Sequence, residues 1–291
     1  MVLPLLVLLG QLATIEFKPQ AKFQSTSLTE VSGIARSNFN KDVFWVHNDS
    51  GDSARIFAVD RNGKPRGNTK GISISGAKNI DWEDIASGGG KLYIGDVGNN
   101  GNARRDLAIY VVNEPHNASV ITLSLSQRLP VIYPQQTAFP PENWQFDCEA
   151  TFMLKGKVHL LTKHRALGGR LPAPSTTLYR LDTQYTDRPN KLTSLDQFAN
   201  LGGWVTAADA SADGRWIAVL THFPVASVWI FDTKGVADEL LSKPIRMVIL
   251  TKAKQCEAMA FDGLDKLIVT NEQGEIFSLK LSQIPPFKGV L

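Results

Sequence analysis

One hexamer recurs, worn but recognisable, five times along this chain of 291 residues. The copies are Glu30-Val-Ser-Gly-Ile-Ala35, Asp81-Trp-Glu-Asp-Ile-Ala86, Asp147-Cys-Glu-Ala-Thr-Phe152, Ala207-Ala-Asp-Ala-Ser-Ala212 and Gln255-Cys-Glu-Ala-Met-Ala260. Their third positions are Ser32, Glu83, Glu149, Asp209 and Glu257, at intervals of 51, 66, 60 and 48 residues. A period near 50 with several short strands per unit marks a β-propeller, in which each repeat is one blade. Equivalent positions of a propeller converge on one axis, so a repeated acid becomes a ring of acids.

Each unit reads as four strands. The hexamer opens the first, and a tight turn follows (Asn38–Lys41, Gly88–Gly90, Lys155–Lys157, Asp213–Arg215, Asp262–Gly263). The second strands are apolar throughout, as at Val43–Val46 and Trp216–Leu220, which suits strands packed between blades. Third strands begin at Arg55, Ile109, Thr177, Val228 and Ile276. Fourth strands fall at 72–74, within 119–133, around 191–198 and at 245–250, and the last unit lacks one. The segment Thr14–Lys18 is the expected replacement, since pairing it with the last blade removes an exposed edge. The reading is therefore all-β: a single β-propeller over 14–291, five four-stranded blades, closed by the N-terminal strand. A sixth blade within 104–145 is the alternative.

Residues 2–9 are an apolar run too short to span a bilayer. With Gly10–Thr14 behind it, the stretch 1–13 reads as a signal peptide, truncated at its front, and implies a secreted or periplasmic protein. The net charge of +3 comes from scattered Lys and Arg, with no basic stripe for nucleic acid. A monomer without a membrane span is expected. Cys148 and Cys256 occupy one column of the repeat in blades that are not neighbours, so they read as small buried residues rather than a disulfide.

Ends of the second strands align as Asp49, Asp96, Lys163, His222 and Glu272. Three of them open a loop of the form acid-x-Gly: Asp49-Ser-Gly51, Asp96-Val-Gly98 and Glu272-Gln-Gly274. An antiparallel second strand ends where the first begins, so both columns meet at one mouth of the channel. Alternation adds the first hexamer position, namely Glu30, Asp81, Asp147 and Gln255. Like charges ~4 Å apart repel by roughly 4 kcal/mol at an effective dielectric near 20, so such a ring calls for protons, donors or a cation. An oxygen-rich set suits Ca2+, with Glu83, Glu149, Asp209, Glu257, Asp49, Asp96 and Glu272 as candidate ligands. Zinc fits less well, with His222 as the sole imidazole in the columns. The competing reading makes some of these acids staples that accept backbone amides from the adjacent blade.

Basic residues, including Arg104, Arg105, Lys163, Arg165 and Arg170, gather in loops on the same face and suit a small anionic ligand or a protein partner. Arg165, Asn48 and Asn271 are the expected ligand contacts. Trp45, Trp82 and Trp216 fall on positions buried between blades, which leaves few platforms for a sugar.

The strings Glu30–Ala35, His47-Asn-Asp-Ser-Gly-Asp52, Asp81–Ala86, Gly95-Asp-Val-Gly-Asn-Asn100 and Asp147–Ala150 resemble those of secreted bacterial β-propellers. More distantly, the pattern is similar to the SdiA-regulated and the esterase-like, phytase-type propellers. That resemblance implies Ca2+-type ligands at the channel mouth, falling here on Glu83, Glu149, Asp209 and Glu257. Two functions follow as expectations. One is a cation-binding propeller that recognises an anionic ligand. The other is a metal-dependent hydrolase of an ester, lactone or phosphate ester, with catalytic His222 or Glu149 as base and Lys163 steadying the developing charge.

Overall fold

Five apolar clusters, each shared by two successive blades, account for the described core and close on themselves. The last of them joins blade five (Ala258, Ile268) to blade one (Val31, Phe44), so the count of interfaces equals the count of blades and the ring is complete. The structure is a computed structural model describing residues 12–166, 169, 171–173 and 175–288. The leader expected at 1–13 therefore lies almost wholly outside the described residues, as do Gly168, Arg170 and Pro174 of blade three's loop.

The inner strands are Val31–Arg36, Trp82–Gly88, Trp144–Leu154, Trp204–Ala210 and Cys256–Phe261. Each touches the next around the axis, the fifth returning to the first. Second strands follow antiparallel at Phe44–Asn48, Lys91–Asp96, Lys157–Arg165, Trp216–His222 and Lys266–Asn271. Outward from these, each sheet reaches four or five strands. Five blades are present, and 104–145 supplies outer strands of blades one and two rather than a sixth.

The N-terminal segment pairs differently from expectation. Thr14–Glu16 lies parallel to Pro244–Thr251 on the rim of blade four, and it is Ala21–Lys22 that pairs antiparallel with Glu275–Lys280 in blade five. The same parallel addition joins Thr122–Ser124 to blade one and Asn190–Lys191 to blade two, so three blades carry a fifth strand, each donated by the segment that leads into the outermost antiparallel strand of the next blade around the ring.

Trp45 and Trp82 are buried between blades one and two, as their apolar surroundings require. Cys148 and Cys256 are buried free thiols. The one helical element described is the short 3-10 turn Leu281–Gln283, and no helix among the described residues is long and apolar enough to cross a membrane.

A candidate metal centre at the channel mouth

Every inner strand breaks register at the same place. The breaks fall between Val31 and Gly33, Trp82 and Asp84, Cys148 and Ala150, Val205 and Ala207, and Cys256 and Ala258. A β-bulge leaves one residue unpaired and re-aims its side chain. The bulged residues are Ser32, Glu83, Glu149, Thr206 and Glu257, one per blade. Ser32 Oγ donates to the Glu83 carbonyl at 2.6 Å and Thr206 Oγ1 to the Cys256 carbonyl at 2.8 Å, so the two hydroxyls fasten adjoining blades. The three glutamates turn to the axis.

Thr206 thus stands where Asp209 was expected. Blade four's hexamer is Trp204–Asp209, three residues earlier than the Ala-rich stretch suggests. Asp209 lies farther down the strand, in the 480 Å3 cavity at the opposite mouth. Its carboxylate accepts the Ala210 and Phe261 amides, both at 2.8 Å. Asp84 does the same with Ile85 (2.8 Å) and Thr151 (2.9 Å). These two acids are the staples of the competing reading.

The second-strand column also needs correcting. Asp96 pairs with Trp82, as Asn48 does with Val31 and Asn271 with Cys256. A one-residue slip moves a side chain to the other face of a strand. The column that meets the axis is therefore Asp49, Val97, Lys163, His222 and Glu272. Asp96 instead turns inward to an ion pair with Arg104 at 3.1 Å and accepts the Asp81 amide at 3.0 Å. Asn48 is engaged by Ser27, Thr29 and Asp52, and Asn271 by Ala253 and Glu275. Both asparagines hold their loops and offer nothing to a ligand. The acid-x-Gly loops are likewise not equivalent. Gly51 and Gly274 adopt positive φ (89° and 73°), whereas Gly98 is needed for space, since a Cβ there would collide with the carboxylates of Glu83 and Asp81.

At the mouth, Glu30, Asp49, Glu83, Glu149, Glu257 and Glu272 line a cavity of about 190 Å3, together with Lys163. Two overlapping triads form there. Oxygens of Asp49, Asp81 and Glu83 lie within 4.8 Å of one another, and so do those of Glu83, Asp147 and Glu149. Burial holds Glu83 well above the usual carboxylate range, with Glu149, Asp49, Asp147 and Asp81 adding repulsion. Asp81 is pushed up to about 7 by burial and by Asp49 and Asp147, and Glu257 to about 8 by burial and Glu149. Asp49 is raised as well, again chiefly by burial.

The partners of these acids separate them. Lys163 Nζ bonds Glu149 at 2.7 Å, and Arg165 reaches Asp147 at 3.3 Å. Gln255 donates to Glu257 (2.7 Å) and to Glu272 (2.5 Å). Glu83 is only 4% exposed, and its carboxylate accepts no hydrogen bond from any described residue. Asp49 and Asp81 are its neighbours that pair with no cation among the described residues. The thiols play no part, since Cys148 and Cys256 turn towards the Ala150 and Ala253 carbonyls.

His222 shares the axial column, yet it does not line the cavity; its Nδ1 is buried without a partner, and burial and then Lys163 lower its pKa. Trp204, in the first hexamer position where three other blades carry acids, was hidden by the misplaced repeat. Its half-buried ring carries Arg165 at 5.0 Å and Lys163 at 5.5 Å, both within cation–π range.

No protein-family model matches the chain and no curated protein is similar to it, so nothing there supports the SdiA-regulated or phytase-type resemblance. Among solved structures, an aldose sugar dehydrogenase from Streptomyces coelicolor in its PQQ-bound form is 12% identical over 91% of this chain and 98% of its own, with a TM-score of 0.48. A calcium-binding protein, regucalcin, from Agrobacterium tumefaciens is 16% identical over 92% and 95%, with a TM-score of 0.47. Likenesses this distant carry no argument about the site, and the blade count rests on the strand order above.

Proposed function

We propose that the mouth binds a hard divalent cation, Ca2+ by preference, on Asp49, Asp81 and Glu83, and that Lys163 and Arg165 beside it receive a small anionic ligand. The observation that carries this is Glu83. A largely buried glutamate whose carboxylate opens on the mouth cavity without a protein donor, facing two further acids, is stabilised by protonation or by a cation. Ca2+ takes six to eight oxygens at ~2.3–2.6 Å, so two oxygens on one ion lie no more than about 5 Å apart. The triad meets that limit. Its three carboxylates leave further positions for ligand oxygens or water. Zinc would seek thiolate or imidazole, and neither faces the triad.

The basic side of the mouth supports the second half of the reading. Lys163 and Arg165 stand together over Trp204 and border the acids, so an oxyanion placed there would meet the cation on one flank and fixed positive charge on the other. Export remains part of the proposal, on the strength of the apolar run at 2–9.

Calorimetric titration of the chelator-treated protein with Ca2+ tests the reading. One ion per chain is expected, with affinity falling roughly tenfold or more in Glu83→Gln. Equal affinity in the variant, or no binding to either protein, overturns it. Turnover of p-nitrophenyl esters, lactones or phosphodiesters that disappears with EDTA would move the site from binding to hydrolysis.

A further inference from the structure

Glu83 belongs to both acid triads, so the mouth contains two adjoining seats for positive charge that share one carboxylate. They are not equally free. Asp49, Asp81 and Glu83 make no ion pair with any described residue, whereas the chain itself brings cations to the other triad, with Lys163 Nζ on Glu149 at 2.7 Å and Arg165 on Asp147 at 3.3 Å. Resting on the cation reading above, we propose that Lys163 is a tethered cation filling the second seat, so that the mouth takes one divalent ion where its carboxylates could hold two.

The fold delivers Lys163 there. It is the register partner of Asp147 on the neighbouring strand, which fixes its backbone beside the triad. Its Nζ lies 2.7 Å from Glu149 Oε1, and the ring of Trp204 at 5.5 Å flanks the ammonium. The axial column offers no other lysine or arginine, its remaining members being Asp49, Val97, His222 and Glu272, and Arg165, two residues along, pairs with Asp147 at 3.3 Å from outside that column. Burial alone would favour the neutral amine, yet the carboxylates of Glu149, Asp147 and Glu83 outweigh it and keep the group charged. All three acids of this triad are buried, as is usual only for charges that are compensated. Glu83 is the unpartnered member that both seats address. An anionic ligand then meets a divalent ion and an ammonium on either side of one glutamate, a bipolar cradle for an oxyanion rather than a symmetric two-metal clamp.

Ion stoichiometry tests this. Calcium titration by calorimetry, with Tb3+ luminescence as a second count, is run on the full chain, on Lys163→Arg and on Lys163→Gln. The wild type and Lys163→Arg are expected to bind one ion, because the tethered charge is kept. Lys163→Gln is expected to bind two, the second lost again in Lys163→Gln/Glu149→Gln. One ion in Lys163→Gln, or two in the wild type, overturns the tethered-cation inference and leaves the cation site standing. No ion in the wild type overturns the site reading itself. Lys163→Gln that stays unfolded by circular dichroism in excess Ca2+ also counts against the inference, since the entering ion should replace the lost charge.

Discussion

The two ends of the channel hold carboxylates of similar character and different fate, Glu83 almost wholly buried and Asp209 partly so. At one end Asp209 is pushed up to about 7 by burial, and its oxygens are taken by two backbone amides. At the other, Glu83 is likewise held well above the usual carboxylate range, by burial and by four neighbouring acids, and no described group donates to it. Burial and a perturbed pKa are common to both, so neither property marks a site. What differs is whether the fold satisfies the group. Asp209 completes the contact between blades four and five, whereas no described group satisfies the Glu83 carboxylate.

That contrast can be broken by substitution. The largest effect should come from the staples. Asp84→Ala leaves buried amides of Ile85 and Thr151 unpaired, at about 1–3 kcal/mol each, and Asp209→Ala does the same to Ala210 and Phe261. Denaturant melts should show losses of about 2–6 kcal/mol with cation affinity unchanged in the folded variants. Glu83→Gln should do the reverse. It removes repulsion at the mouth, so the metal-free protein gains about 1 kcal/mol while losing its cation. A Glu83→Gln protein less stable than wild type in EDTA would mean that Glu83 is a staple after all.

The mouth should also set a pH dependence. Asp81 and Glu257 hold their protons to about 7 and 8 in the folded protein, against ordinary values of 3.8 and 4.5. The unfolded chain therefore releases these protons first as pH rises. Stability is fully present below about pH 4, and it declines as pH climbs through 7 and 8. Melting temperature in EDTA should fall across that window, and added Ca2+ should flatten the fall. Gly98→Ala should weaken cation binding by crowding Glu83 and Asp81 while the blades persist, read by titration beside circular dichroism. The smallest effect is expected at His222, outside the cavity: His222→Gln should change stability by no more than about 0.5 kcal/mol and leave cation affinity alone.

Much of the architecture was legible because a repeat near 50 residues is a long-range signal that survives local noise. The three glutamates were found because blades two, three and five keep a glutamate at the third position of the repeat, between small residues in blades three and five. Blade four defeated the same rule. Its Trp204-Val-Thr206 carries no acid, so Asp209 offered the nearest likeness and drew the alignment three residues off. Asp96 slipped by a single residue, which in a strand exchanges axis for interior. Asn48 and Asn271 looked like ligands because amide side chains serve equally as loop fasteners, and only their partners tell the two apart. The bulge that aims the glutamates inserts one residue without disturbing the pattern on either side, so no periodicity reveals it. Thr14–Glu16 was placed on the wrong blade because edge pairing depends on where the chain crosses the rim.

The most direct test of the central claim is a crystal structure of the protein with Tb3+ as a calcium substitute, read by anomalous scattering. A single peak at the channel mouth, with Asp49, Asp81 and Glu83 oxygens at ~2.4 Å, is the predicted result. A peak on Asp84 or Asp209, or none on the axis, would contradict the claim that the unsatisfied glutamate is what the mouth is for.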